Sequence, residues 1–202
     1  MSLRTKVIAT LTGATMLGGA ITGVVQHNEG LSLTAYKDSV GVPTICYGET
    51  KGVKMGQRAT LGDCQRQLIE SAGAHAKALD GLPMQLSDVA LVGSVDFIYN
   101  VGVAGFNSSA VKRHLKSLNY AAAGKAVLDW RYISKHQQKS PGIGWVYKGS
   151  NRWTFDCSQY INGQRNKVCW GLWERRQWQS KAIGNQYKNV NAAVAALTKT
   201  GG

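Results

Sequence analysis

The chain has 202 residues, of which 44% are hydrophobic and only 17% are charged. This length fits one globular domain of one or two lobes with a short appendage, and the composition excludes wholesale disorder. The 24 Lys and Arg residues outnumber the 11 Asp and Glu residues, which gives a formal net charge of +13. Such a surplus predicts a polyanionic partner, and nucleic acid, anionic lipid and an anionic cell wall all qualify. The net charge alone does not choose among them.

A weakly apolar segment opens the chain. Arg4 and Lys6 precede an uncharged run of 19 residues, from Val7 to Val25, which is just long enough to span a bilayer as a helix. The two basic residues would keep the N-terminus in the cytoplasm. Four glycines and four threonines dilute the run, so such a helix would gain little from lipid. Two alternatives remain open: a cleavable signal peptide, for which Gly18 and Ala20 suit the small-residue rule, and a buried helix of a soluble fold.

A short β-region follows the apolar segment. Residues 31–36 predict a strand entry, and residues 36–54 are rich in glycine and β-formers, with turn signals at Asp38-Ser39 and Gly41. This pattern predicts a small β-hairpin or a three-stranded sheet.

Helical patterns dominate the rest of the chain. Thr60 and Asp63 mark the start of a helix that runs from residue 61 to residue 79, and Ser87-Asp88 caps the next one. Further helices are predicted at residues 108–118, 120–132 and 172–183. Residues 135–170 are rich in Gly, Asn and Trp, which predicts a long hairpin-like insertion. The predicted fold class is α+β, with a small β-containing lobe, a connecting helix and a helical lobe.

Four cysteines, an even count near a possible export segment, predict two disulfides made outside the cytosol. Three connectivities are possible, and short loops favour Cys46–Cys64 with Cys157–Cys169. A zinc site is disfavoured, because no Cys-x-x-Cys occurs and no histidine stands at a ligand-like spacing from a cysteine. Nothing in the sequence predicts a metal or an organic cofactor.

Two carboxylates stand out from the others. Glu29 and Asp38 are nine positions apart, astride the junction between a helical segment and the β-region. Hydrolysis of a glycosidic bond needs one carboxylic acid to protonate the leaving oxygen and a second carboxylate to activate water or attack the sugar. This spacing alone is weak evidence, since two acids in a polar stretch are usually just solvated.

The residues around this pair closely resemble the active-site signature of phage-type lysozymes. That signature is Glu, eight residues, Asp, five residues, Thr, and Glu29, Asp38 and Thr44 match it without a gap. Residues 100–106 resemble the family's glycine-rich segment in the helical lobe, and residues 171–176 are similar to its Gly-Leu-x-x-Arg-Arg element. The resemblance covers residues 26–183 in the right order, and it implies a two-lobed lysozyme-like fold.

The resemblance also implies a role for each residue of the signature. Glu29 would be the general acid, kept protonated by partial burial. Asp38 would stay ionised, stabilise positive charge on the sugar and, with the Thr44 hydroxyl, orient the attacking water. This is the inverting arrangement, which needs the two carboxyl groups roughly 6.5–9.5 Å apart.

Substrate contacts are expected on the facing lobe. Tyr99 and Asn100 resemble the family's sugar-contacting positions, although ordinary helix packing is an equal interpretation. Arg175 and Arg176 have two interpretations: they reach the peptide carboxylates of the wall, with Arg175 the predicted substrate-binding residue, or they form structural ion pairs.

The sequence departs from the family pattern at two places. Many relatives carry His where Glu49 stands, which puts the ion pair usually anchored by that His in doubt. The insertion at residues 135–170 is longer than compact members need. Its Trp145, Trp153, Trp170 and Lys148 would either extend the sugar-binding groove or belong to a stabilising flap.

The implied activity is that of an endolysin, which hydrolyses the β-1,4 bond between N-acetylmuramic acid and N-acetylglucosamine in peptidoglycan and lyses the host cell. The N-terminus is similar to that of signal-anchor-release (SAR) endolysins of lambdoid-like phages, which are freed from the inner membrane when it is depolarised. Residues 1–25 would then be the anchor, with residues 7–25 in the host inner membrane, and residues 26–202 the catalytic domain. The enzyme would face the periplasm, be released into it and act as a monomer. The anchor lacks cysteine, so we expect control by position and refolding rather than by disulfide exchange.

Three other functions compete with this one. A nucleic-acid-binding protein is disfavoured, because Lys and Arg are dispersed and no binding motif is present. A holin-like membrane protein is disfavoured by the long body with its cysteines and active-site signature. A lytic transglycosylase that acts on the same substrate is the nearest enzymatic rival.

Overall fold

A computed structural model describes residues 2–13, 15–38 and 41–197. The helices are α1 (Leu3–Thr12), α2 (Met16–Glu29), α3 (Leu61–His75), α4 (Asp88–Ser108), α5 (Ala110–Leu115), α6 (Tyr120–Val127), α7 (Trp170–Ile183) and α8 (Val190–Leu197). The strands are β1 (Ser32–Lys37), β2 (Pro43–Cys46), β3 (Tyr132–His136), β4 (Trp145–Tyr147), β5 (Arg152–Asp156), β6 (Tyr160–Ile161) and β7 (Gln164–Arg165).

The N-terminal apolar segment forms two helices inside the fold. The side chains of Ser2 and Thr15 cap α1 and α2, and the two helices are bent by 87° relative to each other. Residue 14, in the middle of the predicted run, lies outside the described residues. The apolar side chains of the segment join the main hydrophobic core: Leu3, Val7, Leu11, Ala20, Ile21 and Val24. In this structure the segment is therefore packed in the body of the protein.

Among the described residues, one or two helical stretches are long and apolar enough to cross a membrane. By length and composition these are α4, and α1 with α2 if the bent pair is taken as one span. Helix α4 is mostly buried in the main core, which accounts for its apolar composition. The apolar side chains of the N-terminal pair are likewise packed in the main core in this structure.

A small lobe follows α2. Strands β1 and β2 form an antiparallel hairpin, and the predicted third strand is replaced among the described residues by isolated bridges, Thr34 to Arg58 and Ile45 to Glu49. Residues 39 and 40, in the predicted turn of this hairpin, lie outside the described residues. A second, smaller core fills the lobe, and the disulfide Cys46–Cys64 ties β2 to α3.

Helices α3 and α4 begin where the capping residues predict. The Thr60 side chain accepts from the Asp63 backbone N–H, and the Asp63 carboxylate accepts from the Thr60 backbone N–H. The predicted helix 61–79 is confirmed, with its last four residues wound as a 3₁₀ turn. Helix α4 contains a break at Gly102, whose φ of +77° lies in the left-handed region that favours glycine. The break falls within the glycine-rich stretch of residues 100–106.

The C-terminal half departs from the sequence predictions in detail. The predicted helix 120–132 ends early: α6 stops at Val127, a 3₁₀ turn follows, and Tyr132 already begins β3. The predicted insertion is more than a hairpin, since β3, β5 and β4 form a three-stranded antiparallel sheet and β6 with β7 a separate small hairpin. The disulfide Cys157–Cys169 brackets that small hairpin. Both disulfides pair as the short loops predict, and the α+β two-lobed fold is confirmed.

Gly18 is the position where α1 and α2 approach most closely. We predict that Gly18→Ala lowers the free energy of unfolding by about 1–3 kcal/mol, because a Cβ atom there would collide with the backbone carbonyl of Thr10. The measurement is thermal unfolding followed by circular dichroism. Gly19→Ala is the matched control, since a Cβ atom at Gly19 meets nothing within 4 Å and alanine favours the helix. Equal melting temperatures for the two variants would contradict this packing.

Candidate active site

Glu29 is the last residue of α2, and Gly30 ends the helix with a φ of +70° so that the chain can turn into β1. The Glu29 side chain is partly buried, with 20% of its surface exposed. Its Oε1 accepts a hydrogen bond from Arg175 Nη2 at 2.7 Å. Its Oε2 faces Gly48, where an added Cβ atom would lie 3.6 Å away. One carboxylate oxygen is thus held by an arginine, while the other faces a position without a side chain.

Arg175 joins Glu29 to a buried acid. Its guanidinium is 8% exposed and also donates to Asp96 on α4, from Nη2 to Oδ1 at 2.8 Å and from Nε to Oδ2 at 3.2 Å. Burial lowers the pKa of Arg175, but the charges of Asp96 and Glu29 outweigh it and raise the pKa above its usual value. Arg175 is therefore a fully charged partner of two carboxylates.

Asp96 is completely buried and fully hydrogen-bonded. Besides Arg175, it accepts from Asn28 Nδ2 at 3.1 Å and from Gln179 Nε2 at 2.6 Å. Asn28 precedes Glu29 on α2, so the end of this helix is tied to α4 by one bond and to α7 by another. The sequence analysis missed Asp96, Asn28 and Gln179. A lone acid between Val95 and Phe97 in an apolar run is the signal that would have found Asp96, because a buried carboxylate requires partners.

Arg176 is engaged in the protein interior. It donates to the Trp130 carbonyl oxygen at 3.0 Å, to Gln179 Oε1 at 2.6 Å and to Asn100 Oδ1 at 2.5 Å. Burial and the neighbouring Arg175 charge lower its pKa to about 10, so it remains protonated at neutral pH. Arg175 therefore forms buried ion pairs, and Arg176 forms hydrogen bonds to neutral groups.

Tyr99 and Asn100 are neighbours on α4, just before its break at Gly102. The Tyr99 hydroxyl donates to the Tyr47 carbonyl oxygen at 3.3 Å, and its ring lies 4.9 Å from that of His75. Burial, together with the charges of Glu29 and Glu49, raises the pKa of Tyr99. Asn100 is exposed, although its Oδ1 is held by Arg176. Tyr99 therefore spans the two lobes, and Asn100 presents its amide group to solvent.

Asp38 and Thr44 are fixed by the same residue. Asp38 Oδ1 accepts from the Val42 backbone N–H at 2.8 Å, and the Thr44 hydroxyl donates to the Val42 carbonyl oxygen at 3.0 Å. Thr44 is buried and lies opposite Tyr36 in the hairpin register. The two candidate residues therefore lie at one end of the hairpin and share one backbone anchor.

Glu49 does not replace the histidine of other family members. Its Oε1 accepts from the backbone N–H groups of Thr50 and Lys51, at 2.9 and 2.8 Å. Glu29 is anchored instead by Arg175. Within the described ranges, no three His, Cys, Asp or Glu side chains gather in a way that would hold a metal ion.

The four insertion residues named from the sequence do not form one surface. Trp145 and Trp153 lie on one face of the β3–β5–β4 sheet, while Lys148 follows the alternation onto the opposite face. Trp170 packs elsewhere, with its ring 5.1 Å from that of Tyr160 and 5.2 Å from the Arg165 guanidinium.

Comparisons with known proteins identify the family of the chain. The phage lysozyme family profile matches residues 26–144, more than half of the chain. The SAR-endolysin of Pseudomonas phage phiKMV is 36% identical over 132 residues, which cover 64% of this chain and 81% of that protein. The SAR-endolysin of Escherichia phage N15 is 29% identical over 190 residues, covering 89% of this chain and 95% of its own length.

Solved structures show the same fold. An endolysin from the Escherichia coli O157:H7 phage FAHEc1 superposes with a TM-score of 0.61 at 21% identity, covering 84% of this chain and 93% of its own. A P22 lysozyme mutant gives a TM-score of 0.55 at 26% identity, covering 82% of this chain and 94% of its own. The chain therefore belongs to the phage lysozyme family.

Proposed function

We propose that this protein is an endolysin that hydrolyses the β-1,4 bond between N-acetylmuramic acid and N-acetylglucosamine in bacterial peptidoglycan, and so lyses the host cell. The observation that carries the proposal is the placement of Glu29. It is a partly buried carboxyl group at a helix end, held through one oxygen by Arg175, in a chain of the phage lysozyme family.

Glu29 is the general acid in this mechanism. Arg175 occupies Oε1, so the proton is carried on Oε2, which faces Gly48. The absence of a side chain at Gly48 leaves room for the glycosidic oxygen to approach Oε2. Proton transfer to that oxygen lets the sugar leave, and the Glu29 carboxylate that forms is stabilised by the Arg175 charge.

Asp38 and Thr44 activate the water. The Thr44 hydroxyl donates its own proton to the Val42 carbonyl, so its oxygen can accept a hydrogen bond from a water molecule. Asp38, fixed by the Val42 N–H, accepts the proton that this water loses as it attacks the sugar. Attack from the face opposite the leaving oxygen inverts the anomeric carbon, which is the outcome expected when water stands between the two carboxyl groups.

Arg175 acts here as a positioning residue, since its guanidinium is buried between Glu29 and Asp96. Asn100 is a better candidate for a sugar contact, because Arg176 holds its oxygen and leaves the exposed amide N–H groups to donate. Tyr99 then shapes the cleft between the lobes.

Residues 1–25 act as a releasable membrane anchor, and residues 26–202 as the catalytic domain, of which 198–202 lie outside the described residues. While residues 7–25 are in the host inner membrane, with the body facing the periplasm, α2 cannot pack against α4. Glu29 then cannot reach Arg175, so the site is not assembled. After release into the periplasm, the protein acts as a monomer.

In the folded enzyme, the two basic residues of the anchor segment form ion pairs with the body of the protein. Lys6 Nζ lies 2.6 Å from Asp88 Oδ1, and Arg4 lies 3.8 Å from Asp80 Oδ2. The cations that flank the anchor in the tethered state thus pair with the body in the folded state. These exposed pairs are individually weak, so burial of the apolar face of α1 and α2 supplies most of the driving force for refolding.

We predict that Glu29→Gln abolishes cleavage of purified peptidoglycan, because glutamine cannot donate the proton. The full-length protein, released with detergent, is incubated with peptidoglycan, and new sugar ends are identified by mass spectrometry. The wild type should produce reducing N-acetylmuramic acid ends at least about a thousandfold faster than the variant. Glu70→Gln, on an exposed part of α3, is the charge-matched control.

Two results would contradict the assignment. Anhydro ends from the wild type would make the enzyme a transglycosylase. Intact glycan after incubation with the folded wild type would show that the protein does not have the proposed activity.

We predict that Asp96→Asn lowers stability by about 3–5 kcal/mol, because it leaves Arg175 without its buried partner. It should also lower kcat about tenfold or more, because Arg175 would move away from the position in which it holds Glu29. KM should change less than kcat, because Asp96 acts through Arg175 and does not contact the substrate. Asp129→Asn, at an exposed position, is the control. An unchanged kcat in the folded variant would leave Asp96 with a packing role only.

We predict that Gly19→Leu with Gly23→Leu keeps the protein in the membrane and delays lysis. Leucine raises the apolarity of the anchor, yet a Cβ atom at either position meets nothing within 4 Å in the folded enzyme. The measurement combines membrane fractionation with the time of lysis. Gly19→Ser with Gly23→Ser is the control, because serine changes the same two positions without raising the apolarity of the anchor. Prompt lysis with the leucine variant in the soluble fraction would rule out control by anchor release.

A further inference from the structure

We propose that the β3–β5–β4 sheet carries a binding site for the acidic stem peptides of peptidoglycan, formed by His136, Lys148 and Arg152 beside a groove. This inference rests on the proposed function, since it assigns a second part of the same substrate to the insertion. The family profile ends at residue 144, so most of this site lies beyond the part of the chain that the profile covers.

Strand alternation divides the sheet into two different faces. On one face the registers place Trp145 opposite Phe155 and Tyr147 opposite Trp153. On the other face Val146 lies opposite Thr154, and Tyr132 opposite Asp156. This second face contains a groove of about 320 Å³, within the range of small-ligand sites. Its lining residues are Tyr132, Gly144, Val146, Lys148, Arg152, Thr154, Asp156 and Gln159.

Three basic residues form a row across this face, which we call the basic row. His136 lies opposite Arg152 in the β3–β5 register, and Lys148 lies opposite Arg152 beyond the last β4–β5 pair, with the Lys148 N–H bonded to the Arg152 carbonyl at 2.8 Å. Side chains directly opposite each other in a sheet have Cβ atoms about 4.5–5.5 Å apart, and like charges there are destabilising. Neither Lys148 nor Arg152 has an ion-pair partner among the described residues. An anion seated on the row would relieve this repulsion.

Asp156, in the groove lining, does not neutralise the positive charge of the basic row. Asp156 accepts from Arg131 Nε at 3.1 Å and from the Ser158 hydroxyl at 2.6 Å. Burial raises the pKa of Asp156, but these hydrogen bonds and the Arg131 charge outweigh it and lower the pKa. Asp156 is thus ionised and already neutralised by Arg131. The groove is left with the positive charge of Lys148 and Arg152 and with the Thr154 hydroxyl, a set that matches carboxylates and amides.

A peptide fits this face better than a sugar does. The aromatic rings that would stack on sugars lie on the opposite face, where Lys135 Nζ lies 5.4 Å from the Trp145 ring and Trp153 donates to the Gln137 carbonyl. The only aromatic side chain in the groove lining is Tyr132, and its ring is covered by the Arg131 guanidinium at 4.7 Å.

The sheet is attached beside the catalytic machinery. Its first strand follows Trp130, whose carbonyl accepts from Arg176, and the disulfide Cys157–Cys169 returns the chain to the start of α7. Arg175 lies five residues after Trp170, roughly 7.5 Å along the helix. The basic row stands about 13 Å along β5 from Asp156 at the base of the sheet. The sheet is therefore held by a hydrogen bond and a disulfide next to the helix that carries Arg175.

The test uses the full-length protein and a double variant, Lys148→Gln with Arg152→Gln. Its control, Lys181→Gln with Lys188→Gln, removes the same charge from two exposed residues on another surface. Binding of a soluble stem tetrapeptide with free carboxylates is followed by NMR titration. Cleavage rates are measured on intact peptidoglycan and on glycan strands stripped of peptides by an amidase.

We expect the double variant to lose tetrapeptide binding and to cleave intact peptidoglycan about five- to tenfold more slowly, while its rate on stripped glycan is unchanged. Its melting temperature should stay equal or rise, because like-charge repulsion is removed. The control should match the wild type on every substrate.

Three outcomes would overturn the proposal. An equal loss of rate on stripped glycan would assign the row to the sugar backbone. An equal loss in the control would reduce the effect to overall charge. Binding to vesicles containing phosphatidylglycerol that depends on the row, without tetrapeptide binding, would assign it to the membrane. If the wild type cleaves neither substrate, the proposed function is wrong. The NMR titration still decides independently whether the basic row binds the tetrapeptide.

Discussion

The buried chain of charges from Asp96 through Arg175 to Glu29 is the interaction on which the active structure depends. It joins three helices that are far apart in sequence, α4, α7 and α2. A buried carboxylate and a buried guanidinium are costly to remove from water unless both are fully paired. Asp96 meets this condition only when Asn28, on the last turn of α2, and Gln179 are in place. The docking of α2 against α4 and α7 and the orientation of Glu29 therefore depend on each other.

Under the proposed anchor-release function, this dependence explains how the first 25 residues would serve two purposes. Glycine and threonine make the segment a poor membrane helix, yet the same residues fit the folded enzyme. Thr15 caps α2, and Gly18 permits the backbone of α1 to approach it. A more apolar segment would partition more strongly into a membrane. A bulkier residue at Gly18 would collide with the Thr10 backbone in the folded enzyme. The composition therefore fits the proposed role of a segment that leaves the membrane and packs into the folded enzyme.

Local signals in the sequence predicted most of the elements, because they depend on residues close together in the chain. The Thr60 capping box, the Ser87 cap and the two short disulfide loops are of this kind, and the structure contains all of them. The motif match led directly to Glu29, Asp38 and Thr44. The partner Asp96 was missed, since its role arises from packing between distant helices. Helix α8 was missed, and the early end of α6 was too, because tertiary contacts decide such boundaries.

The distribution of charge separates what attracts the protein to its substrate from what orients it. The sequence has 11 acids and 24 Lys and Arg residues, and the ion pairs seen among the described residues involve seven of the acids and six of the bases. The unpaired majority produces a diffuse attraction to any anionic wall, and salt screens it beyond about 8 Å. Orientation must therefore come from charges held in fixed geometry within that distance. Arg175 is a fixed charge that orients Glu29, and it is itself held by the buried Asp96. The basic row is another, held by strand register on a sheet that a disulfide fastens beside α7.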